Sequence, residues 1–172
     1  MTETGTSSTK KWLVFYTKSR AEKKTFELLV KFGFEAWLPM HKVMRQWSDR
    51  KKKLEVPLFN SYIFVHDIEA HISDILKVPG ISWNIRHSGK PAVLNTAEKE
   101  LVERFIKTGL TLDIQATQEL KQGQKVQVMD GPLKGLIGEV EADYNEEKLY
   151  VTIDSLGQQI LVNIDKNLLK PL

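Results

Sequence analysis

No cysteine occurs among the 172 residues, which excludes a disulfide framework, a thiolate zinc site and a cysteine nucleophile together. That absence fits a reducing compartment, and the expected location is cytoplasmic. No apolar run is long enough to span a bilayer, and the Ser/Thr/Gly-rich stretch from Met1 to Lys11 lacks the apolar centre of a signal peptide. No membrane partner is expected. His41, His66, His71 and His87 fall in no metal-ligand spacing, and the chain has neither a phosphate-cradling glycine loop between strand and helix nor a serine nucleophile elbow. These gaps argue against an enzyme and against a bound metal or cofactor.

Positive charge is scarce at the back of the chain and acidic charge at the front. Residues 1–121 hold 20 Lys/Arg against 14 Asp/Glu, whereas residues 122–172 hold 5 against 8, so a mild net charge of +3 conceals +6 in front and −3 behind. A basic partner surface belongs in the front part.

Gly123 to Val140 cannot be laid on a helix. Val126 and Val128 alternate with polar neighbours, Asp130-Gly131-Pro132 supplies a turn, and Ile137 and Val140 resume the extended pattern around Gly138. Gly131 and Gly135 suit positive φ, and Gly138 inside a strand points to a bulge or a close backbone approach. Lys148–Ile153 and Gln158–Ile164 alternate in the same way around an Asp154-Ser155-Leu156-Gly157 turn. Gly123, Val126, Val128, Gly131, Pro132, Gly135 and Gly138 together resemble a KOW motif, which implies a small SH3-like barrel of four short strands. A barrel that bound nucleic acid through phosphates would be basic, so this acidic one is expected to meet a protein. The persistent alternation also points to a permanent barrel.

In the front part, Trp12-Leu13-Val14-Phe15-Tyr16 is apolar on both faces and predicts a central strand. Ser19 and Glu22 have the spacing of a capping box before a helix in which Ala21, Thr25, Leu28, Leu29 and Phe32 share a face, with Gly33 as its stop. Its other face carries Arg20, Lys24, Glu27 and Lys31, either as solvated charge or, with Lys18, as a nucleic-acid contact. Phe34 to Met40 predicts a second strand. Then Lys42, Arg45, Arg50, Lys51, Lys52 and Lys53 surround Trp47 and a Ser48-Asp49 turn, which predicts a basic hairpin. Basic residues around an aromatic suit a phosphate backbone beside an unstacked base. A solubilising edge hairpin is the other reading.

Phe59 and Tyr62 to Val65 predict another strand, Asp67 a cap for a helix with Ile68, Ile72, Ile75 and Leu76 inward, and Ile81 to Arg86 a further strand after Pro79-Gly80. Asn95 and Glu98 form a capping-box pattern opening a helix with Leu101, Val102, Phe105 and Ile106 inward. Polar residues 108–121, without a strong period, read as a linker. The expected division is a disordered tail over 1–10, a domain over 11–107, the linker, and a KOW domain over 122–172.

Phe59 with Tyr62 to Val65, Trp12 near the start, Pro79-Gly80 and the KOW motif resemble in order and spacing the NusG family. Asn60-Ser61 stands where that family commonly has Pro-Gly; with the basic hairpin and the spacing from His71 to Gly80, this is more similar to specialised paralogues, RfaH-like or the UpxY-like capsule-operon antiterminators. The resemblance implies an α+β protein: an antiparallel N-terminal sheet flanked by helices, followed by the barrel. It implies a monomeric transcription elongation or antitermination factor. The implied patch for the clamp helices of RNA polymerase is Val14, Tyr16, Phe59, Tyr62 and Phe64, although that face would equally serve as core beneath helices. His71 and Ser73 occupy the place of an RfaH run that touches the gate loop. The basic residues would meet the non-template DNA strand, weakly and with salt dependence, and the KOW domain would meet Rho or a small-subunit ribosomal protein. The alternatives are the general NusG factor and a ribosome-associated KOW RNA-binding protein; the acidic tail argues against the latter.

Overall fold

The computed structural model describes residues 9–117, 123–141 and 148–172. In chain order the front elements are β1 (Lys11–Thr17), α1 (Glu22–Lys31), β2 (Ala36–Trp37), β3 (Met40–Gln46), β4 (Lys51–Pro57) and β5 (Tyr62–Asp67). A 3₁₀ turn, Glu69–His71, leads into α2 (Ile72–Ile75), followed by β6 (Ile81–Asn84), β7 (Arg86–His87), β8 (Lys90–Pro91), β9 (Val93–Leu94) and α3 (Thr96–Thr108). Behind them come β10 (Leu112–Ala116), β11 (Gly123–Val128), β12 (Ile137–Glu141), β13 (Lys148–Ile153), β14 (Gln158–Asn163) and β15 (Leu169–Pro171). Two compact units result, Met1–Met40 with Pro57–Lys99, and His41–Val56 with Glu100–Leu172.

In the first unit the strand order is β2-β5-β1-β6, with β9 also on β1, and every pairing is antiparallel. The apolar run of β1 earns the central position: Leu13, Val14 and Phe15 have no accessible surface. Because side chains alternate, Leu13 and Phe15 of β1 join Ile63 and Val65 of β5 on one face, against Leu29 of α1, Ile72 and Ile75 of α2, and Val78 and Ile81. Val14, Tyr16, Tyr62 and Phe64 fall on the opposite face, Val14 beside Phe64 and Tyr16 beside Tyr62.

Local signals were followed unevenly. The Asn95–Glu98 box forms: the Glu98 N–H donates to Asn95 Oδ1 at 2.8 Å and the Asn95 N–H to Glu98 Oε2 at 3.2 Å. The Ser19–Glu22 box does not. Arg20, at φ +62, turns the chain ahead of the helix and leaves Ala21 as an N-cap without a side-chain bond. Glu22 is buried instead, and its Oε1 accepts the N–H of Ser61 at 2.9 Å. Phe32, expected inward, is 58 % exposed because the helix has ended one residue before it. The strand expected over Phe34–Met40 shrinks to the two residues of β2, interrupted at Pro39, which cannot donate to a ladder. The strand expected over Ile81–Arg86 stops at Asn84. The chain then makes a small hairpin, β7 with β8, turning on Ser88 (φ 51) and Gly89 (φ 77), two positive φ values in the manner of a tight hairpin turn.

The second unit contains the β3–β4 pair and a six-stranded antiparallel sheet ordered β10-β14-β13-β12-β11-β15. Its core is built from Leu112, Val126, Val128, Leu133, Leu149, Val151, Ile153, Leu156, Ile160 and Val162. The four expected strands are present, flanked by two more. β10 falls within the expected linker and is paired over five residues, Leu112↔Val162 to Ala116↔Gln158. Polar Asp113 and Gln115, alternating with Leu112 and Ile114, give it a short period-2 pattern that its composition hides. Among the described residues β10 and β15 end the path without pairing to each other, so the sheet is open. Gly138 lies where a Cβ would stand 2.8 Å from the Tyr150 carbonyl oxygen and from a Leu149 methyl, the close approach its place in a strand implied.

Candidate functional site

The face of the first sheet opposite α1 and α2 is unusually aromatic. Tyr16 is stacked on Trp83 of β6, with centroids 4.5 Å apart and planes 12° apart, and meets Tyr62 edge-on at 5.7 Å. Phe59 touches Tyr62 and Phe64, and Trp37 leans on Phe64 at 5.2 Å. Beyond them Trp12 stacks on His66 at 4.9 Å, and Lys99 Nζ sits 4.7 Å from the Trp37 ring and 5.2 Å from the Trp12 ring, an attraction between cation and ring face.

All five residues expected in a protein-binding patch therefore belong to one cluster, but they differ in what reaches solvent. Val14, Phe59 and Phe64 are at 0, 1 and 0 % exposure. Tyr16 and Tyr62 are half-buried. Trp83, which sequence reasoning passed over, is 54 % exposed and has one ring face against Tyr16. The signal that would have found it is an indole in the polar strand Ser82-Trp83-Asn84, too short to need one for its own core. What this face presents to solvent is Trp83 and the two tyrosines, held from below by the buried three.

His71 and Ser73 are exposed around the start of α2. Asp67, the expected cap, accepts the Ile68 N–H at 2.8 Å, and its same Oδ1 lies 2.9 Å from His71 Nδ1, so the histidine is oriented from below. Ile72 and Ile75 turn inward as expected, whereas Leu76 is 38 % exposed.

Lys42, Arg45, Arg50, Lys51, Lys52 and Lys53 are all exposed along β3, β4 and their connection. Trp47, its N–H bonded to the Arg50 carbonyl at 2.8 Å, stands 58 % exposed at the tip. At the base of the hairpin His41 is half-buried, and desolvation pushes its pKa down while Asp113 opposes the shift. Lys18, Arg20 and Lys24 are exposed on the first unit.

In the second unit Gly131 and Gly135 both have φ +83, and the Gly135 N–H closes the loop onto the Val128 carbonyl at 2.7 Å. Val126, Val128 and Leu133 are buried, and Gly123 and Pro132 are exposed. Arg104 of α3 donates to the Pro132 and Lys134 carbonyls of the same loop. Among the described residues no group of His, Asp and Glu could hold a metal ion, and no helix is long and apolar enough to cross a membrane.

A family model described as "Transcription termination factor nusG" matches residues 10–105. Among solved structures, the chain is similar to that of "Domain interaction in Thermotoga maritima NusG", with 21 % identity, 95 % of this chain and 97 % of that one covered, and a TM-score of 0.56. It is also similar to a chain of "Crystal Structure of MjSpt4:Spt5 complex conformation B", with 15 % identity, 94 % and 96 % covered, and a TM-score of 0.32, too low for any argument. The first similarity concerns fold. No curated protein matches the chain.

Proposed function

The chain belongs to the NusG family, and on that premise we propose that it is a specialised elongation and antitermination factor that binds RNA polymerase and acts on particular operons. A transcription factor of this kind works by binding rather than by catalysis. The observation that carries the proposal is the aromatic face of the first sheet, which lies inside the matched residues and ends in Tyr16, Tyr62 and the exposed Trp83. An indole open on one side and supported on the other suits the apolar surface of a partner helix, and Trp and Tyr are enriched among residues that dominate interfaces. The partner is the clamp-helix region of the polymerase, with Val14, Phe59 and Phe64 supporting the surface it meets.

Three further assignments accompany this reading. His71 and Ser73 bridge to the gate loop of the opposing polymerase subunit. The basic hairpin, with Lys18, Arg20 and Lys24, meets the non-template strand. The second unit's sheet is of KOW type and meets a second protein, Rho or a small-subunit ribosomal protein. Purified core polymerase mixed with the full-length chain tests the central proposal: co-elution is the expected result, and sedimentation with ribosomes that is lost at high salt, in place of polymerase binding, would overturn it.

A further inference from the structure

Two adjoining depressions on the second unit share Leu110 and Asn163 as a common wall. One, of about 220 Å³, is lined by these two with Thr111, Asp113 and Leu161. The other, of about 180 Å³, is lined by them with Asp130, Pro132, Leu133, Ile164, Asp165 and Leu168. Each volume suits one aliphatic side chain. Leu110 is 39 % exposed on the ridge between them.

Three carboxylates stand on the rim. Asp113, Asp130 and Asp165 are exposed, and none of the three is in an ion pair among the described residues. Asp165 spends one oxygen on the Asn167 N–H, which leaves its charge in place. Arg104, the nearby cation on Pro132, is directed at backbone carbonyls. Leucines in each depression, with exposed carboxylates beside them, attract a segment that brings aliphatic anchors and positive charge together, and repel its acidic counterpart.

We infer that this groove is a docking site for a basic protein segment with two aliphatic anchors, one in each depression and lysines or arginines against Asp113, Asp130 and Asp165. The inference rests on reading the second unit as protein-binding; it is independent of the polymerase contact. It also places the contact between the β10–β14 pair and the loop that follows β11, with no residue of the Asp154–Gly157 turn lining it.

The test uses isotopically labelled full-length protein, titrated with a short synthetic peptide alternating leucine and lysine and with its leucine–glutamate counterpart. Backbone amide shifts should move at Leu110, Asp113, Asn163 and Leu168 with the lysine peptide and remain still with the glutamate one. Leu110→Ser, at a position exposed enough to leave the fold intact, should weaken binding about tenfold, and Asp113→Asn with Asp130→Asn should weaken it further as salt dependence is lost. Equal response to both peptides, shifts centred elsewhere, or unchanged affinity in these variants would overturn the groove. Failure of the protein-binding reading would appear separately, as absence of co-elution with Rho and with the ribosomal protein.

Discussion

At the scale of single residues, burial and exposure separate two aromatics that a strand pattern makes look alike. Phe64 is wholly buried, so Phe64→Ala should cost about 3–5 kcal/mol of stability, measured by denaturant unfolding. Trp83 is half outside, and Trp83→Ala should leave unfolding nearly unchanged while weakening polymerase binding by about 2 kcal/mol, roughly 30-fold. Normal binding by folded Trp83→Ala would remove the indole from the interface. His41 gives a pH dependence. Its pKa is lowered from 6.5 by burial, so the unfolded chain takes up the proton more readily than the folded one. Stability is full above about pH 6.5 and declines as pH falls from there through the folded value. His41→Gln should flatten that decline in urea midpoints taken at successive pH values. The Asn95–Glu98 box was legible because both partners sit within one turn. Trp83 was not, because the ring that gives it meaning, Tyr16, is its neighbour only across the sheet.

The elements with assigned contacts are short and exposed, and each can be altered without touching a core. On the proposed reading of the β3–β4 hairpin, the outward lysines would add to nucleic-acid affinity through counterion release, about 0.7 per phosphate on single strands. Four contacts give a log–log salt slope of roughly −3, and Lys51, Lys52 and Lys53 all changed to Gln should flatten it by about 2. An unchanged slope in fluorescence anisotropy would place the strand elsewhere. Around α2, His71→Ala with Ser73→Ala should preserve co-elution with polymerase and abolish pause suppression in a purified elongation reaction; full suppression would remove both residues from the bridge. The hairpin could be read from its charges and turn because it needs nothing beyond itself. Where an element depends on a distant partner the sequence says less: Glu22 has capping-box spacing, yet its carboxylate accepts the N–H of Ser61, brought beside it by the β1–β5 pairing.

For the whole molecule, the main difference from expectation is where the second sheet begins. A division at residue 122 would leave β10 behind, with Leu112 at 3 % exposure and five registered partners on β14. A fragment of residues 109–172 should therefore be more stable than one of 122–172 by about 2 kcal/mol, from the lost apolar burial, or roughly 10 °C in melting temperature for a domain of this size. Equal melting by calorimetry would make β10 dispensable and restore the shorter domain. Alternation over five residues with only Leu112 and Ile114 apolar is too weak a signal to separate an edge strand from a polar connection, which is why composition alone favoured a linker.

The β10–β14 pairing also sets a timetable for synthesis. All the strands of the first sheet have been made once Leu94 is added, whereas Gln158, the first of the β14 residues that β10 needs, comes 42 residues after Ala116. At about 5–20 residues per second that interval lasts roughly 2–8 s. Until it has passed, Leu112 and Ile114 belong to a strand that has no partner to pair with, so β10 joins its sheet only at the end of synthesis.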